Sequence, residues 1–344
     1  MRIFRHFTEL PANARGGAVA LGNFDGVHRG HQVVIGTAVR LARQDRLPCV
    51  VMTFEPHPRS VFGQVSEPFR LTPFRIKARH IEAQNVDFLI AQHFDQEFAR
   101  HTAAEFVERV LVDKLRARHV VVGYDYVFGK GREGDAQFLN RVADKSGFAV
   151  TRVDPVTATD GAVYSSTLVR TCLLEGRPLA AAELLGRYWE VEGRVEPGDQ
   201  RGRRLGFPTA NLKLGEFQRP ALGVYAVRAG VDRGASTVWH DGVANFGRRP
   251  SFDDRDPLLE VHLFDFSSDI YNQHLRVALV AFLRPEQRFE SLDELRSQIV
   301  KDTLAARTAL AARHLPNLPG PSVVPAPATD PDRPDTPGED REMS

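Results

Sequence analysis

The stretch GNFDGVHRGH, residues 22–31, brings Gly22, Asn23, Phe24, Asp25, Gly26, His28, Gly30 and His31 together in sequence. His28 and His31 are spaced so that both imidazoles lie on one side of a helix start. A helix N-terminus offers unpaired N–H groups to an anion, and glycines let the backbone approach a ligand closely. Two imidazoles beside those amides can hydrogen-bond the α-phosphate of a nucleotide. They would stabilise the charge that develops as phosphorus becomes five-coordinate. Asn23 and Asp25 suit either ordering the turn or orienting a ligand or metal. A second stretch, SSTLVR (165–170), opens with Ser165, Ser166 and Thr167 and carries Arg170 one turn in. Such a helix start suits the far end of a triphosphate, although plain N-capping would also explain it.

Two further stretches carry oxygen ligands and a base. In GRVEPGDQRGRRLGFPTANL (193–212), Gly202 and Gly206 let a loop close over phosphates, and Arg203 or Arg204 supplies charge. Pro208 stiffens the turn before Thr209 and Asn211. Their hydroxyl and amide oxygens are the hard donors that Mg²⁺ prefers, or else parts of an ordinary polar turn. In LLEVHLFDF (258–266), strand alternation puts Glu260 and His262 on one face and Val261 and Leu263 on the other. A carboxylate in a closed site can accept the proton of an alcohol attacking a γ-phosphate. A solvated glutamate on an outer face is the plainer alternative.

These residues need elements to position them. The first half alternates strand-like runs (18–22, 48–54, 86–92, 119–126, 148–156) with helical runs, among them 31–44 and 103–115. On 31–44 the residues Val34, Ala38 and Leu41 share a face. Such alternation implies a parallel sheet covered by helices, with ligands at the carboxyl ends of the strands. From residue 189 short runs bounded by Gly, Pro and Asp read as an antiparallel barrel or sandwich. An amphipathic helix over 291–315 follows, with Ser291 as N-cap and Glu294 three residues on. Residues 316–344 are rich in Pro and Asp and read as a disordered tail.

The length, 344 residues, suggests two domains. Lys and Arg total 45 against 44 Asp and Glu, so no strong field draws the chain to nucleic acid or a membrane. Cys49 and Cys172 stand far apart without CxxC partners and read as reduced thiols of a cytoplasmic protein. No apolar run approaches a membrane span. The oligomeric state is left open.

Four blocks in the first half, GNFDGVHRGH, TFEPHP (53–58), GYDYVFGKGREGD (123–135) and SSTLVRTCLLEG (165–176), resemble the adenylyltransferase module of bacterial bifunctional riboflavin kinase/FAD synthetases. In the second half the PTAN stretch, GVYAV (223–227), GVANFGRRPSF (242–252) and EVHLFDF resemble the riboflavin kinase module. The resemblance implies a Rossmann-like α/β domain with a parallel sheet over 1–185. A six-stranded antiparallel β-barrel with its helix would cover 186–315, followed by the tail. It implies ATP as co-substrate, riboflavin, FMN and FAD as substrates and products, and Mg²⁺. By the same likeness His28 and His31 would contact ATP phosphates and Asp125 would sit near the nucleotide or its metal. Ser165, Ser166, Thr167 and Arg170 would hold the triphosphate, and Phe54, Phe62 and Phe128 would lie about the flavin unless they are core. Thr209 and Asn211 match metal and nucleotide positions, and Glu260 matches the base for the ribityl 5′-hydroxyl. Ser251 and the sequence LLGRYWEV (184–191) depart from the usual pattern. Three rivals compete with this reading: an adenylyltransferase for another acceptor, a barrel that only senses flavin, and a nucleic-acid-binding protein.

Overall fold

The computed structural model describes residues 1–63, 67–158, 161–197, 206–248 and 257–312. Gly202, Arg203, Arg204, Ser251 and residues 316–344 lie outside them.

The first half is built on six parallel strands: β1 (Arg2–Phe4), β2 (Ala18–Leu21), β3 (Cys49–Glu55), β4 (Phe88–His93), β5 (His119–Gly123) and β6 (Ala149–Val153). Their order is β1-β4-β3-β2-β5-β6, so the sheet changes direction of growth between β2 and β5. The central strands read as near-continuous apolar runs because helices cover both faces. All of Ala18–Leu21 is buried. The run expected to reach Tyr126 ends as a strand at Gly123, where the Tyr126 N–H turns back to the Gly123 carbonyl at 3.2 Å.

Helix α1 (Arg29–Gln44) follows β2 and buries Val34 and Ala38, with Leu41 half-buried. Helix α2 is Phe74–Glu82. The expected helix over 103–115 begins as one α-turn, α3 (Ala103–Glu105), closed by a capping box between Thr102 and Glu105. It then widens to a π-helix over Phe106–Lys114. Sequence reading passed over β1, α4 (Ala136–Ser146) and α6 (Pro178–Leu185); α5 (Ser166–Leu174) starts at the SSTLVR stretch.

The second half is a six-stranded antiparallel sheet: β7 (Trp189–Arg194), β8 (Ala210–Lys213), β9 (Gly223–Val231), β10 (His240–Gly247), β11 (Leu258–Leu263) and β12 (His274–Pro285). The order β8-β11-β10-β9-β12-β7 nearly closes on itself, because Glu196 just past β7 bridges Asn211 on β8. Helix α7 (Leu292–Ala311) packs against this barrel, its N-cap Ser291 accepting the Glu294 N–H at 3.1 Å.

The two halves share apolar core. One cluster runs from Leu71, Ile76 and Leu173 through Leu185 to Trp189, Tyr225 and Leu279 inside the barrel. The Trp189 indole N–H donates to the Leu71 carbonyl at 2.9 Å. Arg79 on α2 reaches Glu190 and Glu192 on β7 at 3.0 and 2.9 Å. Beside them the backbone of Arg70 pairs with Glu216 and Gln218 at 3.1 and 2.8 Å.

Candidate active site

The H-x-G-H stretch lies at the carboxyl end of β2, beside the point where the sheet changes direction. Open α/β sheets bind ligands in that crevice. His28 is the N-cap of α1: its Nδ1 accepts the His31 backbone N–H at 3.3 Å. Nδ1 is therefore unprotonated, and the ring proton of neutral His28 sits on Nε2, ready to be donated. The two imidazoles stack with centroids 3.6 Å apart. Burial pulls the His28 pKa down to about 3, the nearby Arg187 and Arg170 adding to the effect and Asp25 opposing it. Burial likewise holds His31 well below the usual histidine value, and its buried Nδ1 has no hydrogen-bond partner. Two neutral imidazoles at a helix start suit an anion, because such donors gain most when negative charge arrives.

The glycines have specific neighbours. A Cβ on Gly30 would lie 3.1 Å from His28 Cε1, so the histidine ring lies across the glycine. A Cβ on Gly22 would meet the Phe24 ring at 2.9 Å. Phe24 itself is buried and edges against His31 at 5.3 Å, which makes its side chain core beneath the loop. Gly26 stands at φ 86°, flanked by Phe24 at 48° and Val27 at 41°.

Asp25 ties its loop to residues 71, 72 and 170. Its carboxylate accepts the N–H groups of Leu71 and Thr72 at 3.1 and 3.0 Å, the Thr72 hydroxyl at 3.3 Å and an Arg170 N–H. Burial alone would raise its pKa, but Arg170, Lys77, Arg70 and the Thr72 N–H together hold it below the usual value. Asn23 is exposed.

Helix α5 meets the same loop. Ser165 is its N-cap and accepts the Leu168 N–H at 3.2 Å, as ordinary capping requires. The Ser166 hydroxyl donates to the Asp25 carbonyl at 2.8 Å, while Thr167 is exposed on the first turn. Arg170 also donates to the Phe69 carbonyl at 2.9 Å. Because a Cβ on Gly30 would also lie 3.4 Å from the Tyr164 carbonyl, the starts of α1 and α5 are neighbours.

Sequence reading missed the charges beneath. Lys77 is fully buried on α2 and donates to Glu55 at 2.7 Å; Arg70 donates to the same carboxylate at 2.7 and 3.1 Å. Burial pulls the Lys77 pKa down, with Glu55 opposing. The available signal was the spacing of Lys77 four residues before Ile81, on a helix face that is otherwise apolar.

The remaining positions of the first half are Asp125 and an aromatic cluster. Asp125 is exposed just past the carboxyl end of β5, across the crevice from β2. Phe54 and Phe128 are core, 7% exposed each, whereas Phe62 is 55% exposed. Phe94 joins Phe62 to Phe54, at 6.0 and 5.8 Å between centroids. Phe128 joins the same cluster through Phe106 and Phe98, with centroids 5.2 Å from Phe106 to Phe128, 6.4 Å from Phe98 to Phe106 and 5.9 Å from Phe54 to Phe98.

In the barrel, strand register assembles the second constellation. Asn211 on β8 lies directly opposite Glu260 on β11, and Asn245 on β10 flanks Glu260 from the other side. Directly opposed residues hold Cβ atoms about 5 Å apart on one face. Leu259, Val261 and Leu263 point into the core, which leaves Glu260 and His262 on the other face as the alternation requires. His262 Nδ1 lies 2.9 Å from the Pro208 carbonyl and ties Thr209 and its turn to β11. Asn211 is buried, Thr209 half-buried and Gly206 exposed at φ 89°.

A stacked histidine pair at a helix start on a doubly wound sheet, followed by a barrel with an oxygen-rich strand row, is the pattern of an ATP-using transferase with two sites. Comparison with known families is specific. The FAD synthetase family model matches residues 10–168 and the riboflavin kinase model matches 185–310. The Escherichia coli K12 protein called bifunctional riboflavin kinase/FMN adenylyltransferase is 41% identical over 309 residues, covering 89% of this chain and 97% of its own. Its namesake in Pseudomonas fluorescens is 42% identical over 313 residues, covering 91% and 98%. A crystal structure from Streptococcus pneumoniae described as a macrolide-efflux protein shares the fold, with TM-score 0.78 and 32% identity over 89% of this chain and 98% of that one. The efflux description stays with that protein. The chain belongs to the bifunctional riboflavin kinase/FMN adenylyltransferase family.

Proposed function

We propose that the chain makes FAD in two ATP-dependent steps, with the residues above in definite roles and working units at 1–185 and 186–315. The observation that carries this reading is that one chain holds both constellations, each inside the matching family segment except Arg170, which lies two residues past the first.

In the barrel, the riboflavin 5′-hydroxyl attacks the γ-phosphorus of ATP. Glu260 takes the hydroxyl proton, FMN forms and ADP leaves. Thr209 and Asn211 offer hard oxygen donors beside Glu260, and this donor set fits Mg²⁺. When bound there, the ion would neutralise phosphate charge. Gly202, Arg203 and Gly206 belong to the loop proposed to cover the nucleotide.

In the first half, a terminal phosphate oxygen of FMN attacks the α-phosphorus of a second ATP. The bond to the β-phosphate breaks and pyrophosphate leaves. His28 Nε2–H and His31 donate to the α-phosphate, and the paired starts of α1 and α5 with Arg170 face the leaving group. Asp125 borders the nucleotide from β5. Phe62 is the aromatic edge open to the isoalloxazine ring, with Phe54 behind it; Phe128 supports the wall from within the core. Neither step needs a covalent enzyme intermediate, so catalysis is positioning plus charge stabilisation.

Among the described residues no helix is long and apolar enough to cross a membrane. Both cysteines are free and buried, which supports a cytoplasmic, reducing setting. The near-neutral charge supports small molecules, not nucleic acid, as partners.

The test is a time course with riboflavin, ATP and Mg²⁺, the flavins separated by chromatography. FMN rising and then giving way to FAD is expected. FMN alone would return the first half to a different acceptor, and no flavin product would refute the reading.

A further inference from the structure

The H-x-G-H loop is held from outside its own module. Arg187 lies past the residues matched to FAD synthetase, within those matched to riboflavin kinase. It follows Gly186, which ends α6 in a left-handed conformation at φ 74°. Its side chain nevertheless turns back to the loop before α1. Nη2 donates to the Gly26 carbonyl at 2.6 Å, and Nη1 donates to the carbonyls of Val27 and Leu185, each at 3.1 Å. Nε donates to His80 Nε2 at 2.9 Å.

One of the two carbonyls bound from within the loop belongs to a residue in an unfavourable backbone conformation. Val27 is β-branched and stands at φ 41°, next to Gly26 at 86°. A β-branched residue in that region is a genuine outlier, held only where its surroundings over-determine it. The Gln32 amide adds a second donor to the Val27 carbonyl, at 2.9 Å. The next residue is His28, whose ring sets the phosphate donor. A buried cation held by neutral acceptors is costly to desolvate. Desolvation does pull the Arg187 pKa down to about 10, against the attraction of Glu190.

We propose that Arg187 is a positioning residue for adenylyl transfer: its guanidinium fork fixes the Gly26 and Val27 peptide planes and thereby aims His28 at the α-phosphate. This inference rests on reading that loop as the FAD-forming site. Arg187 touches no reacting atom and acts through the backbone.

The test uses the full chain carrying Arg187→Gln or Arg187→Lys. FAD formation from supplied FMN and FMN formation from riboflavin are measured separately. A misplacement of about 1 Å costs on the order of 100-fold, so Arg187→Gln is expected to lower kcat for FAD by that factor. The KM for ATP and the rate of FMN formation should stay near wild type. Lysine keeps the charge but cannot span the carbonyls and His80, and an intermediate loss of about 10-fold is expected. Histidine ¹⁵N spectra provide a readout without turnover: the His28 signals should shift in both variants while those of His262 stay. FAD formation at the wild-type rate in either variant would overturn the proposal. So would an equal fall in both activities, the mark of a merely structural role. If the glutamine variant does not fold, the lysine variant decides by the same criteria. A wild-type chain that makes no FAD from FMN and ATP would instead overturn the functional reading, and the proposal with it.

Discussion

His28 illustrates how one side chain serves structure and chemistry together. As the N-cap it spends Nδ1 on the helix, and that same bond places its proton on the nitrogen free to meet phosphate. With its pKa at about 3, His28 is expected to stay neutral from pH 5 to 8 in the ligand-free protein, with the Nε2–H tautomer seen by long-range ¹⁵N NMR. Titration near the ordinary histidine value would contradict the desolvated stack. His28→Ala should lower FAD formation by about 10² to 10³-fold, the usual cost of one charge-stabilising donor, and leave FMN formation intact. Glu260→Gln should do the reverse, lowering FMN formation by about 10² to 10⁴-fold while supplied FMN is still adenylylated. Steady-state assays with each flavin separate the two outcomes.

At the scale of elements, the start of α1 carries an opposition that can be measured. Alanine in place of a helical glycine gains up to about 1 kcal/mol of helix propensity. At Gly30 the added methyl would press on the His28 ring at 3.1 Å. Gly30→Ala is therefore expected to hold or raise the unfolding midpoint while FAD formation falls about 10-fold or more, as a displaced donor requires. A variant both fully active and stabilised would show that the ring has room to move. The sequence made α1 legible because its apolar spacing and glycine-rich entry agreed. It made Glu260 and His262 legible as one face because strand alternation is strict. It could not show that Asn211 faces Glu260, since register is fixed by pairing across distant segments. Lys77 and Arg70 escaped for the opposite reason: as isolated cations they read as surface, and only the fold brings Glu55 and Asp25 to them. Phe54 and Phe128 show the limit for aromatics, whose type alone does not separate core from flavin wall.

At the scale of the whole molecule, the core running from Leu71 to Leu279 predicts joint behaviour of the two halves. FMN-forming and FAD-forming activities should be lost at the same temperature on heating, followed by withdrawing samples along the ramp. Separate losses would mean that the shared cluster adds little cooperativity. Acid should weaken the fold early. His28 is depressed to about 3 and His57 to about 4, and His31 and His80 are well below the ordinary value, all chiefly through burial. The native state thus binds fewer protons than the unfolded chain below pH 6.5. Stability must fall as pH drops from 6.5 toward 3, and be fully present above that window. Asp25 and Glu55, held low by cations, act in the same direction below the ordinary carboxylate range. Urea midpoints at pH 7.5 and 4.5 test the sign.

The seam through Trp189 also constrains heredity. If a gene encoding this chain were split after residue 185, the upstream product would carry Leu71, Ile76 and Leu185 with their barrel neighbours gone. The Leu71 carbonyl would have lost its indole donor as well. Such a fragment would bear an apolar scar of the kind that draws proteins into aggregates. Fission would therefore carry a solubility penalty even with both sets of reacting residues intact, which favours keeping the two sites on one polypeptide.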